Sequence, residues 1–110
     1  MRHSIQVLSR QLERLGYQVT TETHSSKALE ILIEGEIEID ILITDQTMPG
    51  VTGGDLVKQL KKKRPELPVI MMIGHSEMIS EEDAIIIGID RSLRKPVSKD
   101  VISRVIRELL

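Results

Sequence analysis

The sequence predicts an α/β fold, a parallel sheet covered by helices on both faces. Three observations carry that prediction. Helical and strand-like segments alternate in the order αβαβαβαβα with short connections, which implies parallel strands joined by crossover helices. Two of the strand segments, Ile37 to Thr44 and Val69 to Ile73, are nearly continuous apolar runs, as expected for strands buried on both faces. The helical segments show apolar residues three and four apart, with serine, threonine or glycine at their ends.

Each element follows in turn. Ile5, Leu8, Leu12 and Leu15 fall at helical spacing and Gly16 follows as a C-cap, so residues 2–15 read as an amphipathic helix. Tyr17 to Thr23 alternates around Val19 and reads as a short strand. Ser25 or Ser26 caps a helix carrying Ala28, Leu29, Leu32 and Ile33, which ends near Gly35. The strand 37–44 follows. Thr52 with Asp55 resembles a capping box for a helix bearing Leu56, Val57 and Leu60, which stops before Pro65. Pro68 leads into the strand 69–73. Ser80-Glu81-Glu82-Asp83 is a helix start with a capping hydroxyl and acidic residues at the positive end of the dipole. Ile89 to Arg94 reads as a strand before Pro96. Ser98 caps a last helix that buries Val101, Ile102, Val105, Ile106 and Leu109.

Composition bounds the function. The 110 residues form one domain, 40% hydrophobic and 29% charged, which excludes a disordered chain. A net charge of −2 gives no drive toward nucleic acid or anionic membrane, and no apolar run has spanning length. With no cysteine there are neither disulfides nor thiolate metal sites, and a cytoplasmic setting is compatible. Phe and Trp are absent and Tyr17 is the only aromatic residue, so the core must be aliphatic. His3, His24 and His75 lack metal-ligand spacing. Gly50, Gly53 and Gly54 match neither the dinucleotide fingerprint nor the P-loop. Lys61-Lys62-Lys63-Arg64 reads first as a solvated helix end favoured by the dipole, and Met71 and Met72 as core.

The chemistry centres on Asp45. In Ile39-Asp40-Ile41-Leu42-Ile43-Thr44-Asp45 an apolar strand ends in an aspartate, and Gln46-Thr47-Met48-Pro49-Gly50 follows at once. Ligands and chemistry in an open parallel sheet sit outside the carboxyl ends of the strands. On its own, an aspartate there is most often a turn or cap residue, and a lone Lys-Pro is a surface turn. Together, Leu42 to Gly50 with Gly53, Pro65-Glu66-Leu67-Pro68-Val69-Ile70-Met71, Lys95-Pro96, Leu15-Gly16-Tyr17 and Ala28-Leu29 resemble the receiver domain of two-component response regulators. The likeness runs along the whole chain.

That resemblance implies a flavodoxin-like receiver fold of strand order 2-1-3-4-5 and a signalling role rather than an enzymatic one. Asp45 would accept a phosphoryl group from a phosphohistidine on a histidine kinase or phosphotransfer domain. Lys95 would supply positive charge to the phosphoryl oxygens, aimed by a cis-peptide proline at position 96. Asp45 and the backbone carbonyl of Thr47 would be ligands of Mg²⁺. Gly53 would relieve crowding where the loop meets the next helix.

The chain departs from the family in three ways. It starts within what aligns as the first helix, so the first strand and its Mg²⁺-holding acidic cluster are missing; Asp40 and Glu22 do not replace them, and Mg²⁺ binding is expected to be weak or absent. Ile73 stands where the family has Thr or Ser, with Ser76 the nearest hydroxyl downstream. Ser92 stands at the aromatic switch position. Three outcomes follow for the missing strand: residues upstream supply it, the strand 17–23 pairs directly with 37–44, or two chains associate to cover exposed edges. A truncated or mis-started chain is the expectation, with a homodimer or an altered N-terminal half as its result. Absence of an effector segment after Leu110 suggests a single-domain regulator or a piece of a hybrid histidine kinase. The alternative is a pseudo-receiver, an interaction or dimerisation module without Mg²⁺-dependent phosphorylation. An aspartyl-nucleophile phosphatase is disfavoured, because no general acid lies near Asp45 in sequence.

Overall fold

In a computed structural model of the chain, which describes residues 9–20, 25–34, 38–46, 52–74 and 79–110, helices and strands alternate as expected from residue 25 onward. Residues 9–14 are helical (α1) and are followed by α2 (Ser25–Glu34), β1 (Leu42–Asp45), α3 (Gly53–Lys63), β2 (Val69–Ile73), α4 (Glu81–Ile87), β3 (Arg91–Arg94) and α5 (Lys99–Leu109). The described sheet has three strands in the order β1-β2-β3. Both pairings are parallel, with Asp45 opposite Met72 and Ile73 opposite Arg94.

Side-chain alternation on the sheet sorts the core onto two faces. Ile70 joins Leu12 of α1 and Ile102, Val105 and Ile106 of α5 on one face, with Ile41, Ile43 and Leu93 packed alongside. Val69, Met71 and Ile73 meet Val57 of α3 on the other, with Ala84 and Ile87 of α4 packed against them. Leu32 of α2 and Leu60 of α3 close a third cluster with Leu67. All five residues of β2 are buried, as a central parallel strand requires.

The helix starts are set by side-chain caps. The hydroxyls of Thr52, Ser80 and Ser98 accept the backbone N–H of Asp55, Asp83 and Val101 at 3.2, 3.0 and 3.2 Å, satisfying donors that have no partner within the helix. Helices α1 and α4 end at Gly16 and Gly88, whose φ angles of 99° and 100° suit a residue without Cβ. At the end of the sheet away from Asp45, Asp90 holds the start of β2. Its carboxylate accepts Val69 N–H at 2.8 Å and Lys61 Nζ at 3.2 Å, while its own N–H donates to Val69 O at 3.0 Å.

Three expectations are corrected. Residues 17–20 carry no regular structure, although a strand was expected from 17 to 23. The Tyr17 N–H instead turns back to Leu12 O at 3.2 Å, and alternation around one valine does not make a strand without a ladder partner. Accordingly no direct pairing of 17–20 with β1 occurs. The strand expected over 37–44 begins only at Leu42, whose N–H bonds Pro68 O at 3.0 Å, because Glu38 and Asp40 are exposed ahead of it. The last strand is likewise shorter than 89–94: the Ile89 N–H turns back to Ala84 O of α4 at 2.9 Å, and the strand runs from Arg91. Residues 1–8, 21–24, 35–37, 47–51 and 75–78 lie outside the described residues, and with them His3, Ile5 and Leu8 of the helix expected over 2–15, and Glu22, His24, Gly35, Thr47, Gly50, His75 and Ser76.

Candidate functional site

Strand β1 carries Asp45 to the carboxyl edge of the sheet, and the chain leaving β3 brings Lys95 to the same edge. Parallel pairing does this. The Lys95 N–H donates to Ile73 O at 2.8 Å, and Gln46 N–H donates to Met72 O at 3.2 Å, so both segments are tied to the end of β2. The Lys95 ammonium then lies 2.7 Å from Asp45 Oδ1. The carboxylate side chain is 3% exposed and the lysine side chain 29%, so the charge pair is half sheltered. Oδ1 is buried and receives no aligned hydrogen bond. The short contact is therefore an ion pair formed off the hydrogen-bond direction. The Lys95–Pro96 peptide is cis, as the resemblance implied.

The loop's far end is built around backbone close approach. A Cβ placed on Gly53 would overlap the Asp45 carbonyl oxygen and crowd Gln46 Cα. Only glycine lets α3 start this near the end of β1. The Gly53 N–H donates to Gln46 O at 2.8 Å and the Gly54 N–H to Gln46 Oε1 at 2.9 Å. Gln46 thus satisfies two N–H groups at the start of α3 and ties the residue after Asp45 to that helix. The sequence held no pattern that singled out Gln46; an amide directly after the strand and seven positions before a Gly-Gly helix start was the available signal.

The remaining expected residues fall elsewhere. Ile73, 5% exposed, packs in the apolar cluster between the sheet and α3. Ser92 pairs with Met71 on an exposed strand edge, away from the ends where Asp45 and Lys95 meet. Asp40 is exposed and precedes the strand. Among the described residues no group of three or more His, Cys, Asp or Glu side chains can hold a metal ion. A single buried carboxylate beside a lysine is a poor donor set for Mg²⁺. The described residues therefore do not make up a Mg²⁺ site.

Comparison with known proteins agrees with this geometry. The family model for the response regulator receiver domain matches residues 2–107. This chain belongs to the response-regulator receiver family. It is 37% identical over 83 residues to the response regulator SaeR of Staphylococcus epidermidis and 34% identical to SaeR of Staphylococcus aureus, covering 76% of this chain in each case. The chain spans about a third (35%) of the length of those relatives. Among solved structures, a response regulator receiver domain protein from Clostridium thermocellum superposes with a TM-score of 0.90 at 32% identity, over 99% of this chain and 86% of the other. A CheY-like receiver domain protein from Methanospirillum hungatei shares the fold, with a TM-score of 0.86 at 21% identity over 98% of this chain and 86% of the other. The fold is thus the flavodoxin-like one of receivers, which are signalling modules of two-component systems that interact with histidine kinases and typically use Mg²⁺. No helix among the described residues is long and apolar enough to cross a membrane.

Proposed function

We propose that residues 1–110 act as one receiver domain of a two-component phosphorelay, in which Asp45 accepts a phosphoryl group from a phosphohistidine on a histidine kinase or phosphotransfer domain. The observation that carries this reading is the 2.7 Å contact between Asp45 Oδ1 and Lys95 Nζ at the carboxyl edge of the sheet. In the transfer, a carboxylate oxygen of Asp45 attacks phosphorus, forming a P–O bond as the N–P bond breaks. The imidazole nitrogen leaves with the bonding pair and takes up a proton. Attack removes the charge from the carboxylate, balanced at nitrogen by the proton taken up, while the transferred group brings its own anionic oxygens to the site, so the Lys95 ammonium has reason to swing to one of them. A cytoplasmic location goes with this reading, as does a place in a single-domain regulator or in a hybrid histidine kinase.

A second reading is a pseudo-receiver that binds partners without Mg²⁺-dependent phosphorylation. Its support is the single carboxylate at the described site, together with an isoleucine at position 73 and a serine at position 92. One experiment separates the two. The chain and its Asp45→Asn variant are incubated with a small acyl-phosphate donor, with and without Mg²⁺, and intact mass is recorded. A single phosphoryl group gained by the parent chain and not by the variant is expected. Equal labelling of both would remove Asp45 as the acceptor, and no labelling under either condition would favour the pseudo-receiver.

A further inference from the structure

Gln46 binds two different elements at once. Its N–H donates to Met72 O at 3.2 Å at the end of β2, its carbonyl oxygen accepts the Gly53 N–H at 2.8 Å, and its Oε1 accepts the Gly54 N–H at 2.9 Å. The next donor, the Asp55 N–H, goes to the Thr52 hydroxyl at 3.2 Å, and from Leu56 onward the helix supplies its own acceptors. Gln46 therefore takes two first-turn donors of α3 that have no acceptor within the helix.

Such a reach would be redundant if side chains held the start of α3 against β1. They do not. Gly53 and Gly54 bring no side chain to the joint, and Gly53 stands so near the Asp45 carbonyl that a Cβ would overlap it. Packing of α3 begins at its next turn, where Leu56, Val57 and Leu60 are buried. At the joint itself the approach of helix to strand is set by the two hydrogen bonds to Gln46. The strand end is fixed on its other side, because the N–H groups of Gln46 and Lys95 are both tied to β2.

This joint carries Asp45. No aligned donor reaches its Oδ1, so the direction of that oxygen follows the backbone on which the side chain is mounted. The Asp45 carbonyl lies between Gly53 and the Thr44 hydroxyl, which donates to it at 3.1 Å. A shift of the α3 start is felt at this peptide, and a small rotation there swings the carboxylate away from the Lys95 ammonium at 2.7 Å.

We propose that Gln46 is the positioning residue of the site: its Oε1 clamps the start of α3 onto the end of β1 and so holds Asp45 Oδ1 against Lys95. Glutamate offers an oxygen at the same reach, whereas leucine fills similar space without an acceptor. The effect on phosphoryl transfer rests on the reading of Asp45 as acceptor. The effect on the ion pair does not.

The test is the rate at which an N-hydroxysuccinimide acetate acylates Lys95, followed by peptide mass spectrometry with the exposed Lys58 and Lys99 as internal standards. An ammonium held by a buried carboxylate must leave it before its amine can attack, so pairing slows the reaction, and Asp45→Asn gives the unpaired rate. Lys95 should react slowly in the parent chain and close to the unpaired rate in Gln46→Leu. It should stay at the parent rate in Gln46→Glu, and also in Thr52→Ala, which removes the other side-chain acceptor of the same helical turn. Leu56, Val57 and Leu60 keep α3 docked in each variant. A Gln46→Leu chain with the parent rate overturns the proposal, as does a parent already at the unpaired rate. Thr52→Ala as fast as Gln46→Leu overturns it by showing general loosening of α3, and Gln46→Glu as fast as Gln46→Leu overturns the role of Oε1. Labelling by an acyl-phosphate donor is the second readout: Gln46→Leu should slow it by about tenfold and Thr52→Ala should leave it unchanged. A parent chain that takes up no phosphoryl group removes Asp45 as acceptor, and the acylation rates then decide the clamp by themselves.

Discussion

Asp45 is held in its place by one residue of opposite charge and one residue with no side chain. The carboxylate is 3% exposed and has the Lys95 ammonium at 2.7 Å as its charge partner. Removing one member of a fully buried ion pair costs about 3–5 kcal/mol, and the 29% exposure of Lys95 lowers that, so Lys95→Met should destabilise the domain by about 2 kcal/mol. Asp45→Asn takes the buried charge away and should be close to neutral or stabilising. Urea denaturation followed by circular dichroism measures both, and an Asn variant as unstable as the Met variant would contradict the argument. A second pair of variants tests the glycines. Gly53→Ala drives a methyl into the Asp45 carbonyl and should cost about 2 kcal/mol or more, since backbone on both sides cannot yield as a side chain can. Gly54→Ala meets only Gln46 Oε1 and Ile87 Cδ1 at 3.5 Å, an ordinary contact, and should be tolerated.

At the scale of elements, the same cap has different consequences on different helices. Ser80 and Ser98 each accept one N–H at the start of a helix, and alanine at either position should cost about 1 kcal/mol. Helix α5 buries Ile102, Val105 and Ile106, so Ser98→Ala should lower the global denaturation midpoint. Helix α4 has no fully buried residue, so Ser80→Ala should appear first as faster hydrogen exchange of α4 amides, with a smaller change in the midpoint. Equal global losses would mean that α4 opens only with the whole domain. Caps and apolar spacing are local, which is why α3, α5 and β2 could be read from the sequence nearly residue by residue. Strand ends depend on where a ladder begins, and Leu42, Arg91 and the loss of a strand at 17–20 could not be read that way. The site divides along the same line. Asp45, Lys95 and Gly53 were legible because their types and spacing fit a known pattern. The part played by Gln46 arises from two hydrogen bonds across a loop, which no residue type announces.

At the scale of the molecule, the sheet stands between two bodies of aliphatic core among the described residues. Ile70 faces α1 and α5, while Ile73 on the same strand faces α3 and α4. Close packing transmits strain within each body, but β2 backbone, held by parallel ladders on both sides, lies between them. The replacements Ile70→Val, Ile73→Val and Ile106→Val should each cost about 1 kcal/mol. Combined across the sheet, Ile70→Val with Ile73→Val should add to within about 0.5 kcal/mol. Combined on one side, Ile70→Val with Ile106→Val should depart from the sum, because both side chains border the same space and the first loss lets the second relax. The measurement is again urea denaturation by circular dichroism, since the single aromatic, Tyr17, makes fluorescence a local report. Coupling across the sheet as large as coupling within one face would mean that β2 yields as a unit. The edge where Asp45 and Lys95 meet would then respond to packing on either face, rather than resting on a rigid strand.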